Sequence, residues 1–523
     1  MIDEEAGLTP SERYLGNLAR RTFLRLWSFS NLYTDRGLTP GGIGKELCDL
    51  LVVCGDHIFV FSDKSIRFND SKPVEISWRR WERDAILKSA KQVKGAFRWL
   101  RDFPNRIFLD AKCTKPLPFP LPDARASNLH GIVVALGAGQ ACRAYFNEGS
   151  GSLLLTTPDA AGDPNSPFHN TPFTITDLNP DGPFIHVFDD TTLDILLREL
   201  DTVTDFAWYL DRKSAFLRSG RTVVAHGEED LLALYLKSMD PETRRHDFVQ
   251  PDGSPLAENL MVLVEGGLYK NFKEGREYAA SKKANKGSYF WDELIERFTA
   301  NLEKDDLHFR MASPGNQRPG LIATYEQAVR ALAMEPRLRR RLLVEAIADG
   351  IRKAKPQQRF ARVVLPYDER DSDSAFVFFL LPPHTPDGPL SEEDYREVRR
   401  NHLYAYALHV ALRNPSVSRV IGLATENYAG LKLRGASEDL VVLENSEWTP
   451  EERDRAEQVR KELNIFREDM EATLVRSDEF PTLHQRAKVA RRDEVPYTYL
   501  DPRSVEAGNR QQRRKQKALQ RRK

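Results

Sequence analysis

The sequence predicts an α/β protein of more than one domain. Three observations lead there: the length, strand-sized apolar runs that alternate with helical periodicity, and an ordinary globular composition. A chain of 523 residues exceeds the roughly 250 to 300 residues at which one hydrophobic core stops growing, so at least two domains are expected. Hydrophobic residues make up 41% and charged residues 29%, enough to fill packed cores. The longest apolar runs, Leu50 to Cys54 and Ala375 to Leu381, are strand-sized and far short of the roughly 20 residues needed to cross a bilayer, so no membrane span is expected.

The elements follow from local pattern. Residues 11 to 28 read as a helix capped by Ser11, with Leu15, Leu18, Phe23 and Leu24 on its apolar face. A Gly/Pro loop from Gly37 to Gly44 leads to two strands, Leu50 to Val53 and His57 to Phe61, around a Gly55-Asp56 turn. A long helix from about Trp78 to Leu100 then aligns Leu87, Ala90, Val93, Phe97 and Leu100. Past a proline-rich link, strand patterns recur at Gly131 to Leu136, Arg143 to Phe146, Ser152 to Thr156, Phe184 to Phe188 and Thr222 to Ala225. Residues Glu258 to Leu307 are charged and largely helical in pattern.

A second unit is expected from near Ser313. It has helices at Tyr325 to Leu332, Leu338 to Lys353, Ser391 to Leu412 and Pro450 to Leu463. Its strands are Arg359 to Leu365, Ala375 to Leu381, Val420 to Ala424 and Leu440 to Leu443. The predicted division is residues 1–310, then an α/β or α+β domain over 311–470, then a polar linker and disordered basic tail over 471–523.

Net charge is zero but unevenly placed. After Glu506 come Arg510, Arg513, Arg514, Lys515, Lys517, Arg521, Arg522 and Lys523 with no acid, so the residues before them carry −8. Such a tail can neutralise phosphates or simply be solvated. Cys48, Cys54, Cys113 and Cys142 include no Cys-x-x-Cys pair, which argues against a zinc or disulfide framework. The acidic, polar stretch from Met1 to Ser11 lacks the apolar region of a secretory signal, so a cytoplasmic location is expected.

Chemistry concentrates in the hairpin from Glu46 to Lys64. A two-residue turn at Gly55-Asp56 pairs residues whose numbers sum to 111, which sets Asp49 opposite Ser62. Alternation puts Ser62 and Lys64 on one face with Asp49, and Asp63 on the other unless a bulge redirects it. A carboxylate, further oxygen ligands and an ammonium group side by side suit phosphodiester hydrolysis. Hard oxygens would hold Mg²⁺ (or Mn²⁺) while lysine stabilises charge or positions water, and Glu46 could add another oxygen.

The spacing and the strand-turn-strand frame resemble the PD-(D/E)XK superfamily of restriction-endonuclease-like nucleases. There an aspartate opens one strand and an acid-x-lysine closes the next. The resemblance covers roughly residues 15 to 105 and implies a restriction-endonuclease-like mixed sheet flanked by helices. It implies that Asp49 and Glu46 are metal ligands, that Lys64 is the catalytic amine, and that Ser62 or Asp63 completes the site. Ser62 stands where the family usually has an acid. Gln92 or Lys88 on the following helix matches a polar residue often present there. The implied activity is a Mg²⁺-dependent endonuclease acting on nucleic acid, DNA above RNA, in bacterial antiviral defence or DNA processing. The alternative is a non-catalytic nuclease-like protein that binds nucleic acid, a protein partner or its own copies.

Other motifs carry less. Glu228, Glu229 and Asp230, after His226, read as first-turn acids that complement a helix dipole. His402 and His409 lie seven apart on one helix, with His409 among apolar neighbours. Leu136-Gly137-Ala138-Gly139-Gln140 reads as a tight turn without a clear helix after it. Trp78, Trp81 and Trp99 with their neighbouring arginines read either as a nucleic-acid surface or as a helix that buries its tryptophans. No phosphate-loop lysine pattern and no Gly-x-Ser-x-Gly elbow is present.

Overall fold

The computed structural model describes residues 9–466 and Glu479, except 25–26, 119, 125–127, 148, 163–167, 241–244, 251–252, 258–260, 304–308, 313–320, 356–357, 367–373, 383–389, 428–437 and 446–447. The basic tail, and the linker before it apart from Glu479, lie outside the described residues. The chain is α/β and divides into two units. The first holds residues 1–307, 322–344 and 478–483; the second holds 308–321, 345–477 and 484–523. The chain first changes unit close to the expected boundary at 310. Unlike the expected division, residues 322–344 return to the first unit.

In the first unit a helix, Pro10–Phe23, precedes three strands, β1 (Ser28–Thr34), β2 (Lys45–Cys54) and β3 (His57–Ser65). The helix starts one residue before the expected cap. Thr9 and Glu12 form a reciprocal capping box with Pro10 in the first turn. It ends earlier than expected too, because Leu24 turns to φ 66° and Ser28 onward pairs with β2 as an unforeseen strand. The predicted long helix is present as Val74–Trp81, a π-helical turn Glu82–Leu87, and Lys88–Asp102. It leads to β4 (Asn128–Leu136).

The following strands are β5 (Leu154–Thr156), β6 (Thr174–Ile175), β7 (Ile185–Phe188), β8 (Thr222–Ala225) and β9 (Met261–Val264). One mixed sheet runs β1-β2-β3-β4-β7 and a smaller one runs β6-β5-β8-β9. In the larger sheet β1, β2 and β3 form an antiparallel meander, while β3, β4 and β7 are parallel. The Val74–Asp102 segment is therefore the crossover that a parallel β3–β4 pair requires.

Phe23 rings contact Phe59 and Phe61 at 5.5 and 6.1 Å, so the first helix covers the face of odd-numbered β3 residues. The Lys88–Asp102 helix covers the other face. It approaches so closely that a Cβ on Gly131 would lie 2.7 Å from Val93 Cγ1 and 2.9 Å from Phe97 Cζ.

The expected strand at Arg143 to Phe146 is instead part of a helix, Gly139–Tyr145. Gly137, at φ 107°, turns the chain just after β4. The Asp190 carboxylate then accepts the N–H groups of Gly137, Ala138 and Gly139 at 2.9 to 3.2 Å, which anchors the helix start. Periodicity cannot separate helix from strand over so short a run.

The second unit contains β10 (Phe309–Ala312), β11 (Phe360–Val364), β12 (Ser374–Leu381), β13 (Arg419–Glu426) and β14 (Asp439–Glu444), in the sheet order β10-β14-β13-β12-β11. The helix Glu392–Arg413 packs on this sheet; Leu403 lies where a Cβ on Gly422 would be 2.8 Å from its Cγ. Under it, Arg399, wholly buried, donates to Asp439 at 2.6 Å.

Two stability outcomes follow. Gly131→Ala should overpack the helix against β4 and cost about 1–3 kcal/mol in denaturant unfolding. Arg399→Ala should cost about 3–5 kcal/mol, because Asp439 keeps a buried charge without that partner. Calorimetry should place this second loss in the transition of the unit that contains β12–β14.

Candidate functional site

The hairpin register decides which side chains meet. β2 and β3 pair Leu50 with Phe61 through Cys54 with His57, the sum-111 register expected of the turn. Gly55 takes φ 59° and Asp56 stays at negative φ, the combination of a type II′ turn. Alternation then sends Phe59, Phe61 and Asp63 toward the first helix, and Val60, Ser62 and Lys64 toward the other face.

The backbone ladder of β2 and β3 stops at Leu50–Phe61. Beyond it, the Asp49 carboxylate takes over: Oδ2 accepts the Asp63 N–H at 2.6 Å. Asp49 and Asp63 are both buried, each about 4% exposed. Glu46, at the exposed start of β2, hydrogen-bonds back to Asp49. Lys64, half-buried near the end of β3, lies close enough to Glu46 and Asp63 to lower the pKa of each.

Those four residues, Glu46, Asp49, Asp63 and Lys64, gather at one end of the hairpin. Ser62 departs from the expected grouping. It is fully buried and its hydroxyl donates to Gln92 Oε1 on the crossover helix at 3.0 Å. The physical reason is the end of the ladder, where Asp49 turns to the backbone of residue 63 and leaves Ser62 to the helix packed over its face. Lys88 pairs with Asp84 at 2.8 Å on the exposed side of the same helical segment.

The carboxyl groups repel one another in a desolvated place. Burial raises the Asp63 pKa to about 6, reinforced by the charges of Asp49 and Glu12, while the Ser11 hydroxyl and Lys64 oppose it. Burial likewise raises Glu46 to about 7, helped by its hydrogen bond to Asp49 and by that residue's charge, against Lys64. Neither Asp63 oxygen has a hydrogen bond of ordinary geometry among the described residues. Carboxylate oxygens suit a hard divalent cation, but Asp49, Asp63 and Glu46 do not bring three ligand atoms within 4.8 Å of one another; among the described residues the group that does so is His57, His130 and Asp211.

The other motifs resolve into structure. Glu228, Glu229 and Asp230 occupy the first turn of the helix Glu228–Lys237, as expected. All three are buried: Glu228 pairs with Lys213 and accepts from Tyr209 at 2.7 Å. Glu229 accepts from Ser152 at 2.6 Å, and Asp230 from the Tyr269 N–H at 2.9 Å. Their sequence position shows the helix start but not the layer that covers it. His226 Nδ1 lies 3.0 Å from the Val264 carbonyl. His402 stacks on Phe379 and His409 packs on Phe466.

Trp78 and Trp81 are buried and stacked on each other, and Trp81 donates to the Ile66 carbonyl at 2.7 Å. They offer no stacking platform to a ligand. The turn at Gly137 holds Asp190 and not an external anion. Cys48, Cys54 and Cys142 are buried, and all four cysteines are free. No helix among the described residues is long and apolar enough to cross a membrane.

One cluster escaped the sequence reading. His57, His130 and Asp211 each offer a ligand atom within 4.8 Å of the others, an arrangement that could hold a metal ion. They lie 73 and 81 positions apart in the chain, and no local spacing announces them.

Asp63 makes a pH outcome specific. Its pKa is raised on folding, so its stabilising contribution is present below its unfolded value near 3.8 and is lost as pH climbs through about 6. In the absence of divalent cations, Asp63→Asn should melt about 2–4 °C above the wild type at pH 7.5, and the gap should close at pH 4. A melt measured against pH for both proteins checks the sign. Comparison with protein-family models, with curated proteins and with solved structures finds no match to this chain.

Proposed function

We propose that the chain is a divalent-metal-dependent nuclease of the PD-(D/E)XK kind, with DNA as its substrate, in bacterial defence or DNA processing. The observation that carries the reading is the gathering of Glu46, Asp49 and Asp63 with Lys64 at one end of β2 and β3. The order helix, three-stranded antiparallel meander, crossover helix and parallel fourth strand supports a restriction-endonuclease-like core in this unit. Asp63 takes the part of the second acid that Ser62 cannot, and lies next to Lys64.

Mg²⁺ or Mn²⁺ held by Asp49, Asp63 and Glu46 would neutralise phosphate charge and make a water more acidic. Lys64 contributes a fixed positive charge beside those acids, placed to stabilise charge that develops on a phosphate. Gln92 holds Ser62 and with it the strand that carries Asp63 and Lys64. Burial keeps Asp49 and Asp63 out of bulk water, which strengthens their pull on a cation.

Purified protein with Mg²⁺ or Mn²⁺ should cut plasmid DNA. Asp49→Ala and Lys64→Ala should each lower the rate by about 100-fold or more, Asp63→Asn nearly as much, and Ser62→Ala only a few-fold. The second reading, a non-catalytic nuclease-like binder, draws on Ser62, whose buried hydroxyl is committed to Gln92 at a position where an acid is usual. Absence of cutting with either cation, together with nucleic-acid affinity unchanged in Asp49→Ala and Lys64→Ala, would select it.

A further inference from the structure

A cluster of possible ligands, unlike the acidic one, lies at the opposite end of β3. The parallel register pairs His57 with Asn128 and Phe59 with His130, so His57 and His130 are diagonal neighbours on the face that the first helix shares. His130 is stacked on the Phe59 ring at 4.6 Å and almost wholly buried. The helix Val203–Leu217 places Asp211 on the other side of the His130 ring, with Oδ1 3.8 Å from His130 Nδ1.

The spacing is the argument. His57 Nδ1 and His130 Nε2 are 3.2 Å apart. Two nitrogens bound at about 2.0–2.1 Å to a tetrahedral cation lie roughly 3.3 Å from each other, so this pair already has the separation that a shared ion imposes. Without an ion, one imidazole must donate to the other. Asp211 Oδ1 is nearest His130 Nδ1, the ring nitrogen turned away from His57, so its carboxylate, 45% exposed, must rotate to meet an ion held at His130 Nε2; one ligand atom of each residue already lies within 4.8 Å of the others. Two imidazoles and one carboxylate select a borderline transition metal over Mg²⁺. Three protein ligands with an open side also match zinc centres that keep a fourth position for water or a small ligand.

We propose that His57, His130 and Asp211 form a binding site for a zinc-class divalent transition metal. It is separate from the carboxylates of the hairpin end, since six residues of extended chain set His57 about 20 Å from Asp63. The site joins the start of β3, β4 and the helix Val203–Leu217 through one ion.

Full-length protein, stripped with a chelator and dialysed, is titrated with Co²⁺, and Zn²⁺ then displaces it. The expected result is one equivalent of Co²⁺ with the intense visible bands of a low-symmetry nitrogen and oxygen site, lost on adding Zn²⁺. His57→Gln and Asp211→Asn, both partly exposed and checked for folding by circular dichroism, should each weaken binding about 10-fold or more. Asp49→Ala should leave it unchanged. No saturable Co²⁺ or Zn²⁺ binding would overturn the proposal, as would equal binding in His57→Gln and Asp211→Asn. Loss of the bands in Asp49→Ala would overturn it too, by assigning the ion to the acidic end.

Discussion

The two-residue turn at Gly55-Asp56 constrains everything around it. It locks β2 and β3 into one register, and a slip of one residue would send every β3 side chain to the other face. Phe59 and Phe61 would leave Phe23, and Asp63 would exchange places with Ser62 and Lys64. The aromatic contacts with the first helix and the close approach of Val93 and Phe97 at Gly131 hold that register from both sides. The polar end of the hairpin is thus positioned by apolar packing several residues away.

That positioning comes with an electrostatic cost. Asp49 and Asp63 are buried side by side, with Glu46 and Glu12 adding negative charge nearby. Desolvation and repulsion favour the protonated forms of Asp63 and Glu46, and Lys64 opposes both. Such a cluster adds nothing to the stability of the fold; under the proposed function a bound cation would offset the repulsion. The contrast with Asp439 is instructive: that carboxylate, equally buried, has Arg399 and Arg396 against it.

Elsewhere in the first unit, acids serve the fold. Asp190 fills the amide nest at Gly137 to Gly139. Glu228, Glu229 and Asp230 tie their helix to Lys213, Ser152 and the chain at Tyr269. Asp190, Glu228 and Asp230 have close donors, whereas Glu229 Oε1, like the Asp63 oxygens, has no hydrogen bond of ordinary geometry. The two ring nitrogens of His130 face His57 and Asp211, whereas His402 Nδ1 donates to the Val398 carbonyl within its own helix.

Much of the architecture was legible in local pattern. The α/β class, the hairpin with its register, the long crossover helix and the strands Ser374–Leu381 and Arg419–Glu426 all follow from periods of two and 3.6 and from turn residues. Short elements with mixed signals are not legible: no local pattern announces β1, and Arg143 to Phe146, which reads as a strand, falls in and just after the helix Gly139–Tyr145. Of the candidate site, Asp49, Asp63, Lys64 and Glu46 were visible as residues in a hairpin. Their grouping without Ser62 was not, because it depends on where the ladder ends and on which helix covers each face. The His57, His130 and Asp211 cluster lay beyond sequence altogether. Its members come from two parallel strands and a helix far apart in the chain, and periodicity reports only on neighbours in sequence, whereas such contacts are chosen by packing.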